Sequence, residues 1–166
     1  MNKIKLFLLN KQHISKKYIS WLNDYEVVKY SNQKYIKHNY RNVRSFVLNI
    51  KNSNDSFLYG IKYNNIHIGN IKIGPIDYNN QNTQISYFIG DRSYWNKGIA
   101  SEAIKQCVIL CKNKYKLKKI MAYVVKENVG SKKALLKNGF IKEGNLKKYF
   151  NFENKRLDEF VFSKNL

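Results

Sequence analysis

The sequence predicts a mixed α/β fold of the α+β type: a central, largely antiparallel sheet flanked by helices. Three observations predict it. Several short runs alternate apolar and polar residues, as half-buried strands do. Two longer stretches, 41–52 and 99–113, carry apolar residues at helical spacing. Their order is strand, helices, hairpin strands, then strand-helix-strand-helix-strand-strand. The chain of 166 residues suits one domain spanning 1–166 with a core of its own.

The elements follow in order. Ile4 to Leu9 reads as a first strand, and Ser15 as the cap of a helix through Tyr18, Trp21 and Leu22. Asn23-Asp24 interrupts it, and Glu26 to Tyr30 reads as a second short helical turn. Arg41 to Asn52 reads as a helix with Val43, Phe46, Val47 and Ile50 on one face. After a polar loop at 52–56, Phe57 to Tyr63 and Ile66 to Ile73 read as strands joined by a tight turn at Asn64-Asn65. Gly74-Pro75 is expected to break the second strand, and Asp77 to Asn82 to turn. Thr83 to Gly90 alternates Ile85, Tyr87 and Ile89 on one side. Ile99 to Asn113 is a helix with Ala103, Ile104, Cys107, Val108 and Cys111 inward, and Lys119 to Val125 is a strand. A short helix over Ser131 to Lys137 ends at Asn138-Gly139. Phe140 to Glu143 and Leu157 to Ser163 read as the last strands, with a polar turn over Asn151 to Lys155.

Composition narrows the function. A hydrophobic fraction of 43% and an aromatic fraction of 14% exclude a disordered chain. No apolar run approaches the roughly 20 residues that cross a bilayer. Met1 to Asn10 alternates Lys with apolar residues and lacks a signal-type cleavage site, so the cytoplasm is expected. Cys107 and Cys111 share a helix face, and no His or Cys cluster accompanies them, so reduced core thiols are expected and no metal. The net charge of +20, from 31 basic and 11 acidic side chains, attracts anions. The lysines are scattered among many Asn, Ile and Tyr, a pattern that fits A+T-rich coding and a solvated surface better than a nucleic-acid footprint.

One turn carries chemistry. Trp95-Asn96-Lys97-Gly98-Ile99-Ala100 lies between a strand and a helix. Gly98 allows close backbone approach, and the first amides of the following helix lack internal partners. Those donors and the helix dipole suit a phosphate or pyrophosphate. Lys97 adds charge at the rim, and Ser101 a hydroxyl donor. A single glycine in such a turn is common, so spacing alone leaves a plain turn and a phosphate cradle both open. Walker-type, dinucleotide-binding and Gly-x-Ser-x-Gly motifs are absent.

These residues resemble motif A of the GNAT acetyltransferases, Arg/Gln-x-x-Gly-x-Gly/Ala. Trp95 takes the first position, Gly98 the central one and Ala100 the last. The whole run Ile89 to Ala103 is similar to the subgroup related to ribosomal-protein-alanine acetyltransferases. Lys126 to Ser131, Ala134 and Asn138-Gly139-Phe140 resemble its motif B, and Glu143 to Leu146 the segment beyond. Tyr18 to Asp24 and His67 to Ile76 resemble a branch found in surface-glycan and amino-sugar gene clusters.

The resemblance implies acetyl-CoA as co-substrate, held in a split between parallel strands Thr83 to Gly90 and Lys119 to Val125. It implies that Phe88 and Ile89 pair with the pantetheine arm, that the amides of Asn96 to Ala100 hold the pyrophosphate, and that Asn128 and Ser131 reach the arm. Asn128 also reads as a helix cap, and the two roles are compatible. A neutral amine would attack the thioester, its carbonyl polarised by a backbone amide near Ile89. The acid and base depart from the family pattern: Gln84 stands where many relatives have Glu, and Leu135 where many have Tyr. A proton relayed through water, or a base that the sequence does not place, is the remaining reading; Gln84, Tyr87, Asp77, Asp24 and His67 are weaker candidates, with sheet packing, turn and strand roles as the plainer readings of Tyr87, Asp77 and His67.

The expected activity is N-acetylation of a primary amine on a nucleotide-linked amino sugar. Amino-terminal acetylation of a ribosomal or other protein, and a non-catalytic CoA- or nucleic-acid-binding module, are the alternatives. The expected partners are the small amine substrate and a second copy of the chain in a homodimer, without a membrane.

Overall fold

The structure, a computed structural model, describes residues 4–166; the Met1 to Lys3 start of the first alternating run lies outside them. The strands are β1 (Ile4–Leu8), β2 (Phe57–Tyr63), β3 (Ile66–Asp77), β4 (Asn82–Ile89), β5 (Lys119–Val125), β6 (Ile141–Phe152) and β7 (Lys155–Asn165). The helices are α1 (Lys16–Leu22), α2 (Tyr25–Val28), α3 (Tyr40–Lys51), α4 (Ile99–Asn113) and α5 (Val129–Lys137). Single 3-10 turns stand at Lys11–His13, Asn32–Tyr35 and Arg92–Tyr94.

Local chemistry sets the helix starts. Ser15 accepts from the Tyr18 amide at 3.1 Å and Asp24 from the Glu26 amide at 3.0 Å. Asn39 and Asn42 exchange side-chain and backbone bonds at the start of α3. Asn64 and Asn65 both adopt left-handed φ, 47° and 65°, as a two-residue hairpin requires. α5 starts at Val129 rather than Ser131, because Asn128 accepts from the Ser131 amide at 3.1 Å and caps it two residues earlier.

Three expectations need correction. β3 does not end at Gly74-Pro75 but runs on to Asp77. The proline falls where the register with β4 shifts, between Ile73 and Ile76, so no ladder bond is demanded of its missing N–H. The Ile76 amide donates instead to Asp55 O at 2.7 Å. The last two strands are much longer than expected. β6 is the outer strand and pairs only with β7, so its lysines need no buried face and leave no alternation in the sequence. Phe46 is exposed, and Val43 and Val47 are the buried residues of α3.

One seven-stranded sheet has the order β1-β2-β3-β4-β5-β7-β6. Its neighbours are antiparallel except β4 and β5, which are parallel and joined through α4. Two cores cover its faces. Against α4 and α5 lie Ile68, Ile71, Ile73, Ile85, Ile89, Ile120, Ala122, Val124 and Phe162, with Tyr87 packed beside them. Cys107 and Cys111 are buried there as free thiols. Against α1 and α3 lie Leu58, Tyr18, Trp21, Val43 and Val47, reaching across the sheet as far as Phe88.

Candidate functional site

The parallel pair comes apart. β4 and β5 are in register only at Asn82–Lys119, Thr83–Ile120 and Gln84–Met121. Both strands continue well past that point, each bonded on its outer side to β3 or β7. The result is a V-shaped opening whose apex is Gln84 and Met121, and on that side the backbone of β4 has no strand partner beyond the apex among the described residues. Alternation says which groups face it. The Gly90 amide donates to Ile68 O on the β3 side at 2.8 Å. The N–H and C=O of Ile89 therefore point the other way, into the opening. Its carbonyl accepts from the Trp95 indole at 2.7 Å. That bond pins the turn to the strand end, a role for Trp95 that no sequence signal showed.

The turn itself is a cradle of amides. Asn96 and Gly98 have left-handed φ, 59° and 74°. Gly98 is the N-cap of α4 and gives no side-chain cap. The space into which a Cβ there would project is empty to 4 Å. Glu102 is the first α4 residue whose amide bonds back, at 3.1 Å to Gly98 O; the amides of Ile99, Ala100 and Ser101 have no partner among the described residues. With the dipole of a 15-residue helix behind them, they suit a doubly charged phosphate group. Asn96, Lys97 and Gly98 are exposed, Ile99 is buried, and Lys97 Nζ sits 5.5 Å from the Tyr94 ring. The Ser101 hydroxyl, expected to face phosphate, lies buried and accepts from Asn138 Nδ2 at 3.0 Å, tying α5 to α4.

Tyr87 and Ser131 bridge the opening on its helical side. The Tyr87 hydroxyl meets Ser131 Oγ at 2.7 Å. Burial pushes the phenol up to about 12, against the opposing effect of that bond, so it is protonated at neutral pH. Phe88 points to the opposite face, into the α1–α3 core.

The other candidates separate. Gln84 stands at the apex. Asp77 lies beyond it at the closed end, paired with Asn82, and accepts from the Asn80 amide and side chain at 2.9 and 2.7 Å, so it is a turn residue. Asp24 caps α2 and pairs with Arg92 at 3.6 Å. His67 is packed among the rings of Phe7, Tyr18 and Trp21, with Nε2 2.8 Å from Asn70 Oδ1 and 3.0 Å from Gly69 O. Burial holds its pKa below the usual histidine value. Leu135 is fully buried in the core. Sequence reasoning passed over Glu159, which is partly buried on β7 with no hydrogen-bond or ion-pair partner among the described residues.

A splayed parallel pair with an amide cradle at its open end leaves a groove suited to a long ligand with an anionic group. The pattern of the family described as "Acetyltransferase (GNAT) domain" matches residues 6–141, and the chain belongs to that family. It is thus an acetyl-CoA-dependent acetyltransferase. No curated protein matches it significantly. The spermidine N-acetyltransferase of Vibrio cholerae, in complex with CoA and spermine, superimposes with a TM-score of 0.88 at 16% identity, over 98% of this chain and 95% of that one. The microcin C7 self-immunity acetyltransferase with acetyl-CoA and AMP gives 0.83 at 20% identity, over 99% and 93%. The ribosomal-protein-S5-alanine acetyltransferase of Vibrio fischeri gives 0.82 at 20%, over 99% and 96%. No helix among the described residues is long and apolar enough to cross a membrane.

Proposed function

We propose that residues 1–166 act as one catalytic domain that moves the acetyl group of acetyl-CoA to a primary amine of a nucleotide-linked amino sugar. The donor half rests on the opening and its cradle. Amides of Asn96 to Ala100 take the pyrophosphate, with Lys97 at the rim. The pantetheine arm runs along β4 at Phe88 and Ile89, flanked by Asn128 and Ser131. The free N–H of Ile89 polarises the thioester carbonyl as the tetrahedral oxyanion forms. Tyr87, protonated and held by Ser131, is suited to return a proton to the leaving thiolate.

The acceptor half rests on one observation. The two segments that resemble the amino-sugar branch pack on each other beside the open end. The Trp21 and His67 ring centroids are 5.2 Å apart, and the Trp21 ring lies against Gly90, where a Cβ would come within 2.2 Å of it. The charge of +20 suits the phosphates of such an acceptor. The two free buried thiols accord with a reducing cytoplasm.

Thiol release from acetyl-CoA, measured with nucleotide-linked amino sugars, polyamines and peptides with a free amino terminus, tests the reading. Release with the amino sugars is expected. Release with a peptide alone would move the assignment to amino-terminal acetylation. CoA binding without release by any amine would leave a non-catalytic module.

A further inference from the structure

The register places one more residue at the open end. Counting on from Gln84–Met121, Phe88 and Val125 are the residues that flank the opening at the same level. Val125 is directly opposite Glu159 on β7, and Glu159 opposite Leu146 on β6. Residues opposite one another share a face of the sheet. Val124, Phe160 and Phe162 belong to the α4–α5 side, so Val125 and Glu159 lie on the other, with Phe88.

Nearer the apex that half of the face is uncovered, while Val125 itself is buried at 1% exposure. The α1–α3 core stops at Phe88, and Ser86 and Tyr123 on the same face are exposed. Further out, the β6–β7 tip is clasped by the α2 region. The Tyr25 hydroxyl donates to Glu153 at 2.6 Å, Lys34 Nζ donates to Asn151 O at 2.7 Å, and Tyr30 stacks on Phe152. Half-buried Glu159 therefore lies on β7 between the exposed Ser86–Tyr123 surface and this clasped tip.

Glu159 is singular among the acids. Every other one, except exposed Glu127, has a partner among the described residues: Asp24, Glu26, Asp55, Asp77, Asp91, Glu102, Glu143, Glu153 and Asp158. Desolvation without compensation raises its carboxyl above the usual range. A partly buried carboxylate that pairs with no basic side chain among the described residues is a costly arrangement for stability alone.

We propose that Glu159 receives the acceptor amine: its carboxylate pairs with the incoming ammonium, takes one proton from it, and leaves a neutral amine at the thioester. The nitrogen lone pair then forms the C–N bond, the C–S bond breaks and its electrons leave with CoA as thiolate; the acylated nitrogen gives up its second proton, and the thiolate takes up one in balance. This inference rests on the reading of the chain as an amine acetyltransferase.

The test is Glu159→Gln, nearly the same shape, with Glu159→Asp as partner, assayed by thiol release with amines of decreasing basicity. For E159Q, kcat/KM for a basic amine falls about 100-fold or more, within the range of acid–base groups. The KM for acetyl-CoA stays as in the parent, and the melting temperature holds or rises. The deficit shrinks for weakly basic amines, which arrive already neutral, and E159D recovers part of it. A wild-type chain active with amines, paired with E159Q within about threefold of it, overturns the role of Glu159 and leaves the acetyltransferase reading standing. A deficit equal for all amines, or one that follows a lowered melting temperature, makes the residue structural and also overturns it. A wild-type chain inactive with every amine overturns the underlying reading instead.

Discussion

The two faces of the sheet meet the opening differently. On the α4–α5 face the walls are continuous core, from Ile85 and Ile89 through Ala122 and Val124 to Phe162. On the other face the clustered core ends at Phe88, and beyond it β5 and β7 carry exposed Tyr123 and half-buried Glu159 beside buried Val125. The first side, built from backbone amides, a helix end and close packing, is where the proposed function puts the donor. The second is built from side chains on an open surface, where an acceptor can be distinguished without disturbing the fold.

Four experiments test this contrast. The largest effect belongs to the cradle. Gly98→Glu sends a carboxylate into the empty space the phosphate needs, and calorimetry should show acetyl-CoA affinity reduced roughly a thousandfold, about 4 kcal/mol. Unchanged affinity would remove the cradle from the site. Next comes packing. Ile104→Ala, at a side chain 0% exposed, should cost about 3 kcal/mol in denaturant unfolding. Tyr123→Ala, at 45% exposed, should stay within about 0.5 kcal/mol. Equal losses would mean that the two faces are equally packed.

Tyr87→Phe removes the bond to Ser131 across the opening and should lower stability by about 1 kcal/mol. It should also lower kcat by roughly tenfold or more at an unchanged KM for the amine; an unaltered kcat would take the phenol out of proton transfer. The smallest effect is one of pH. Burial holds His67 and His13 below their unfolded values. Their contribution is present above the ordinary histidine pKa of about 6.5 and is lost as pH falls below it, where the unfolded chain binds protons more readily. Thermal melts at pH 7.5 and 5.5 should therefore show a drop that shrinks in His67→Gln. A drop of equal size in the variant would assign it to other groups.

Legibility followed burial and locality. α4 and β5 carry the bounds expected of them, because their periodicity is imposed by a core within the same short segment. β6 was invisible beyond its start, because an outer strand with lysines on both sides has no buried period to display. Pro75 misled, because its cost depends on whether a neighbouring strand asks for its N–H, which only the pairing shows.

The form of the Trp95–Ala100 turn, leading into a helix start, was readable in the sequence. Its chemistry is local: a glycine free to adopt left-handed φ, a helix start with spare amides, and motifs close by in the chain. Tertiary structure alone decided that the Trp95 indole holds Ile89 O, that β4 and β5 part after Gln84, and that Glu159 stands level with the opening. The last depends on β7 inserting between β5 and β6, which sets a residue near the end of the chain beside Val125. No periodicity within one segment encodes a register between strands so far apart; the packing of the whole sheet selects it.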